Sequence, residues 1–396
     1  MEAARLDVAA RRREIRLLHE ALDAMEPEIP VRRRQGPLLD VAEAGRGARR
    51  RDAEGQQGAR GCGATHHRLR RAAKDLVRSD DVIRRQAEYH RVGVRREELQ
   101  RRERDAQLAG IREASDDIVH AARYRLRGLF FGQHPLAVDS DGTLEMVGRL
   151  QAKDLRRHRD RLVRAGNLVA AVSGAFDREE LLGRIEEAFS GIPEGKIEQK
   201  EHTEGLPVTT GHHILSQDRE QVIVYHSFPG PGVLSEDFMA SEVLDEVFSG
   251  MASRLFERVR EEQGLAYFVR SGRVLAMNEG MFFFVAGTSP SGYRQVISEL
   301  CIEADRAREG GISEEELRRS QVRLKAGWRM AMQTNSACSI QAALNAIYGL
   351  PVNDWRNYDA RIDAITLEDL QGFARARLDP EYRLELLAGA VGEGRS

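Results

Sequence analysis

The 396-residue sequence predicts an α+β protein: a mixed or antiparallel sheet with helices packed on one face. Two observations carry this. Apolar runs at 168–172, 221–226 and 281–285 are short and rich in Val, Ile and Phe, as strands are. Longer amphipathic stretches at 111–129, 235–248, 291–308 and 313–332 recur between and after them, as helices do. Strands and long helices in such a mixture bury a sheet face under helices.

A third observation sets where that pattern begins. Residues 1–104 contain 25 Arg, a single Lys (Lys74), and neither Phe nor Trp; the first phenylalanine is Phe130. Arginine tracts at 11–13, 32–34 and 49–51 interrupt every candidate helix face. So few large apolar groups cannot offset the entropy of ordering the chain. The stretch reads as an atypical Arg-rich segment, disordered or translated out of frame, ahead of a core that begins between residues 99 and 118. Nucleic-acid or anionic-lipid binding is the competing explanation, and arginine without interleaved aromatics fits known nucleic-acid modes poorly.

From there each element follows in order. Residues 111–129 are expected to be helical with Ile118, Tyr124 and Leu126 inward. The run 168–172 reads as a fully apolar strand, and 191–211, rich in Glu, Lys, Gly and Thr, as a linker. The strand at 221–226, the helix at 235–248, the buried strand at 281–285 and two long helices complete the second half. Cys62, Cys301 and Cys338 lack metal-ligand spacing and are odd in number, which argues against a disulfide framework; Cys301 and Cys338 are expected in the core. A net charge of −2 gives no overall pull towards nucleic acid or membrane. No apolar run reaches 18 residues, so no membrane span is expected. No signal-peptide core is visible at Met1, which leaves the cytoplasm as the default unless the true start lies upstream.

The run from Ser249 to Gly272 (SGMASRLFERVREEQGLAYFVRSG) is the most informative for function. It reads as a Gly/Ser break, a short amphipathic helix with Leu255, Phe256 and Val259 inward, a turn at Gly264 and a strand from residue 265. Arg260 ends the helix and Tyr267 lies on the strand, so a guanidinium and a phenol, both strong donors, can reach one spot. A carbonyl or developing oxyanion would suit that pair. Spacing alone leaves the plainer alternative open, because an Arg at a helix C-terminus and a Tyr on a half-buried strand are common.

The whole run resembles the signature of the C-terminal domain of the pitrilysin/insulinase family of zinc metallopeptidases, the inverzincins. Further points of resemblance follow in family order over roughly residues 104–390. They are FFGQHPLA at 130–137 with Asp141 to Thr143, NLVAAVSG at 167–174, AGTSP at 286–290, and the helix starts GISEEEL at 311–317 and IDAITLEDL at 362–370. The resemblance implies two repeats. Residues 105–190 would be the C-terminal part of an incomplete first domain, 191–211 a linker and 212–396 the second domain. It assigns Arg260 and Tyr267 to the substrate carbonyl in the zinc site, while Gly250 and Ser253 of the same run are the candidate substrate-binding positions. His134, in the "HPL" segment, is expected to have a turn role.

The family's H-x-x-E-H is missing. None of the 11 histidines has that spacing: His19-Glu20 is followed by Asp23 where a second histidine would stand, and His66-His67 has no carboxylate nearer than Asp75. The expectation is a chain that binds no cofactor itself, with Zn only on a partner half. It would supply Arg260 and Tyr267 to a homologous zinc-bearing half or subunit that closes with it around an unfolded peptide. The alternative is an inactive structural homologue, like core subunits of the respiratory bc1 complex, or a defective gene fragment.

Overall fold

The computed structural model describes residues 96–196, 207, 209–250 and 253–391. The expectations for residues 1–95 therefore lie outside the described residues, and 96–104 form the start of a helix. Helices α1 (Arg96–Asp116) and α2 (Ile118–Phe131) come first, separated where one continuous helix was expected. Asp117 causes the break, since its carboxylate accepts from the amides of Val119 and His120 and starts α2 anew. Leu126 is buried as expected, but Tyr124 is largely exposed. His134 does have a turn role: its Nδ1 accepts from the Leu136 amide at 3.0 Å and caps the 3-10 turn Pro135–Ala137. Helices α3 (Leu144–Arg149), α4 (Ala152–Leu162) and α5 (Arg178–Phe189) follow.

One strand expectation fails here. Residues 168–172 belong to no strand, and Leu168, Val169 and Val172 are exposed. An apolar run becomes a strand only when another edge satisfies its amides and carbonyls, and this run lies against no edge of the described sheet.

The sheet is built wholly from the second half. Strands β1 (Gly211–Ser216), β2 (Val222–Pro231), β3 (Ala266–Leu275), β4 (Glu279–Thr288) and β5 (Leu384–Gly389) stand in the order β1-β5-β2-β4-β3. β1 runs parallel to β5; every other neighbour is antiparallel. Helices α6 (Phe238–Phe248), α7 (Tyr293–Arg308), α8 (Glu314–Ala331), α9 (Asn335–Ile347), α10 (Tyr358–Asp363) and α11 (Leu367–Arg377) complete the chain. The expected sheet-and-helix architecture holds. Val222, Val224, Phe228, Phe282 and Phe284 pack on one face against Val243 and Leu244 of α6, Val296 and Leu300 of α7, and Leu370 and Phe373 of α11. The opposite face is also covered: Ala122, Leu126, Phe130 and Phe131 of α2 pack against Ile223, Tyr225, Met281, Phe283 and Leu386. First-half residues thus complete the second half's core.

Local rules account for the helix starts. Ser313 and Glu316 form a capping box before α8, and Thr366 and Asp369 another before α11. Both segments were read from the sequence as helix starts. Cys301 and Cys338 are half-buried and free rather than fully in the core, and the Arg383 guanidinium donates to Cys301 Sγ at 3.0 Å.

A polar ladder crosses three strands. His212, Glu385 and His226 are in register on β1, β5 and β2. Glu385 takes hydrogen bonds of 2.6 Å from His212 Nδ1 and from His226 Nε2. Burial holds His226 below the ordinary histidine range, so it is neutral at neutral pH and carries its proton on Nε2. Burial opposes ionisation of Glu385, but the two histidine hydrogen bonds outweigh it and hold the carboxyl low.

Candidate functional site

Three backbone irregularities follow one another in the segment singled out by the sequence. The first is Phe256–Glu262, which winds as a π-helix where an α-helix was expected. Such wide turns are rare and frequent at functional sites. Leu255 and Val259 are fully buried, while Arg260 is exposed, its guanidinium 4.8 Å from the Phe256 ring centroid and 3.9 Å from the Glu261 carboxylate. Phe256 is only half-buried.

The second is the turn. Gly264 adopts φ 62°, a left-handed conformation that glycine takes without strain. Its amide donates to the Arg260 carbonyl at 3.2 Å, and the Leu265 amide reaches back to the Val259 carbonyl at 2.9 Å. Thr288 Oγ1 donates to the Leu265 carbonyl at 2.5 Å, tying the turn to β4.

The third is a bulge at Tyr267. Ala266 pairs with Thr288 and Phe268 with Gly287, so Tyr267 is the extra residue in β3. Phe268 pins this arrangement: its ring lies over Gly287, where an added Cβ would come within 2.3 Å. Tyr267 is left 55% exposed, and among the described residues its hydroxyl has no hydrogen-bond partner. Arg260 and Tyr267 are both presented to solvent at one helix–strand junction, and no direct hydrogen bond joins them. Bulges and wide helical turns re-aim side chains next to sites, and here each irregularity presents one strong donor.

Gly250 and Ser253 have a different place. Gly250 adopts φ 99°, and a Cβ there would meet the Arg323 guanidinium at 2.4 Å. Ser253 is buried, and its Oγ accepts from the Phe256 amide at 3.2 Å, starting the helical segment. Both residues shape the loop that leads into the π-helix.

Beneath that loop lies a buried ion network that the sequence did not reveal. Arg323 Nε is 2.9 Å from Glu246 Oε1, and Arg273 of β3 donates to Ser241 Oγ at 2.9 Å and lies 3.4 Å from Glu242. Ser271 Oγ donates to Asp245 Oδ1 at 2.6 Å. Burial pushes the Glu246 carboxyl up to about 7, with Arg323 opposing only in part. Its folded pKa lies above its unfolded one, so this contribution to stability is greatest below about pH 4.5 and is lost as pH rises through 7. Wild-type unfolding free energy should therefore fall by about 1–3 kcal/mol between pH 5 and 8 on account of this group. Glu246→Gln should flatten that slope in urea titrations; equal slopes for the two proteins would contradict this.

No described trio of His, Cys, Asp or Glu could hold a metal. His19, His66 and His67 lie outside the described residues.

Residues 149–324 match the family model described as "Peptidase M16 inactive domain". Over that range the chain is similar to the M16 inactive domain. The matched range takes in α6, the π-helix and both irregular turns at Gly264 and Tyr267, and the pitrilysin/insulinase resemblance read from the sequence is thereby shown. The chain is 26% identical over 246 residues to an uncharacterized zinc protease of Rickettsia bellii, covering 61% of this chain and 58% of that protein. It is 24% identical over 282 residues to a non-peptidase homologue of Helicobacter pylori, covering 69% and 63%. The chain spans 58% and 54% of the length of two Rickettsia relatives. The M16 inactive-domain crystal structure from Pseudomonas fluorescens superposes with a TM-score of 0.69 at 19% identity, covering 75% of this chain and 72% of that one. A chain of complex III2 from Candida albicans superposes at 0.63 with 20% identity, covering 74% and 72%. These two likenesses are of fold.

Proposed function

We propose that this chain is the non-catalytic half of an M16 peptidase. In this reading it presents Arg260 and Tyr267 to the scissile carbonyl of a peptide held against a zinc-bearing half. The observation that carries the reading is the succession of π-helix, left-handed glycine and bulge, which leaves two donors exposed on an otherwise tightly bonded junction. Zinc, held by the partner half, would supply the hydrolytic chemistry. This chain's part is to donate hydrogen bonds from the Arg260 guanidinium and the Tyr267 hydroxyl as negative charge grows on the carbonyl oxygen. Residues 105–190 and 212–396 are taken as the two repeats, with 191–211 joining them.

The purified chain alone should bind no stoichiometric zinc and cleave no peptide. Metal analysis and a fluorogenic peptide assay check this; one tightly held zinc per chain with chelator-sensitive cleavage would overturn it. A structural role is the second reading, supported by the non-peptidase relative and the complex III2 likeness. The exposure of both donors at one junction, with the Tyr267 hydroxyl unpartnered among the described residues, favours the first.

A further inference from the structure

The helical segment before Gly264 turns one polar stripe towards α7 and α8. Arg254 Nε lies 2.8 Å from Glu316 Oε1 and 3.6 Å from Glu303 Oε2. Arg258 Nε lies 3.2 Å from Glu299 Oε2, and its Nη1 is 3.6 Å from Glu303 Oε1. Gln263 Nε2 donates to Glu299 Oε1 at 3.1 Å, while its own oxygen accepts from Gln295 at 2.8 Å. Glu303 is fully buried, a carboxylate enclosed between two arginines.

The stripe residues 254, 258 and 263 are four and five apart. An α-helix turns about 100° per residue, so Gln263 would lie about half a turn away from Arg254. A helix with i→i+5 hydrogen bonds needs more residues per turn and brings all three onto one side. In α register the third stripe position would fall to Glu261, which is now exposed. That would set a third carboxylate against Glu299 and Glu303, and Arg260 would swing by about a quarter of a turn.

We infer that Glu299 and Glu303 are positioning residues that lock residues 254–263 in the wide register. The same two carboxylates attract Arg254, Arg258 and Gln263 in that register and repel Glu261 in the α register. The lock fixes where Arg260 points; its consequence for turnover rests on the proposed function, but the lock itself does not.

Amide hydrogen exchange of the full chain tests it. Glu299→Gln/Glu303→Gln should speed exchange at Gly264 and Leu265, whose amides close the segment, by about tenfold or more, with β2 and β4 unchanged. Glu261→Lys, a surface change that makes the α register attractive, should speed the same amides without threatening the core. Unaltered protection at these amides in Glu261→Lys, or in a folded double variant, would overturn the inference. With a zinc-bearing half present, the same variants should lower kcat and leave KM unchanged. Faster exchange with unchanged kcat would leave the lock standing and remove the carbonyl-binding role of Arg260.

Discussion

Tyr267→Phe is expected to lower kcat by about 10²–10³-fold in a complex of this chain with a zinc-bearing M16 half, with KM nearly unchanged. That is the scale for losing one oxyanion donor, whose hydrogen bond is stronger in the transition state than in the ground state. The substitution removes a hydroxyl that has no hydrogen-bond partner among the described residues, from a side chain that is 55% exposed, so folding should be unaffected. Arg260→Lys keeps the charge but loses the planar fork, and should also impair turnover. Steady-state kinetics separate the outcomes: a raised KM at constant kcat would mean uniform substrate binding instead. No change in either constant would leave the structural reading as the better one.

Phe284→Ala is expected to destabilise the chain by about 3–5 kcal/mol, the range for truncating a buried aromatic. Phe284 is fully buried at the centre of β4. Its ring packs edge-on against Phe248 of α6 at 5.0 Å, Phe282 at 5.6 Å and Phe228 of β2 at 6.3 Å. Three rings that meet at one side chain cannot all close on the space it leaves. Urea titration reads the effect. A loss below about 1 kcal/mol would mean that the sheet–helix core does not depend on this cluster.

Strands β2 and β4 were readable because the pattern of burial is written into their residues: both are covered on two faces and so are continuously apolar. β3 was readable only at its start, since buried Ser271 and Arg273 look like surface residues until Asp245 and Ser241 are seen beside them. The exposed edge strand β1 and the short β5 were not read as strands, because pairing across about 170 residues leaves no local mark. The same limit misled the reading of 168–172, whose apolar run is local while a strand's partner is not. At the site, residue types and spacing pointed to Arg260 and Tyr267, but not to the backbone that presents them. Leu255 and Val259 fit an α-helix as well as a π-helix, and a bulge has no signature beyond the glycine opposite, Gly287. Glu299 and Glu303 carried one usable signal: carboxylates four apart on a helix, matching arginines four apart at 254 and 258.

The most direct measurement is peptide hydrolysis by a mixture of this chain with a purified M16 chain that carries H-x-x-E-H. Each protein is assayed alone, together, and together with Tyr267→Phe. Little cleavage by either alone is expected, with chelator-sensitive cleavage by the pair and loss of most of it with Tyr267→Phe. Hydrolysis by the zinc-bearing chain that this chain does not raise, or a pair whose rate ignores the substitution, would contradict it.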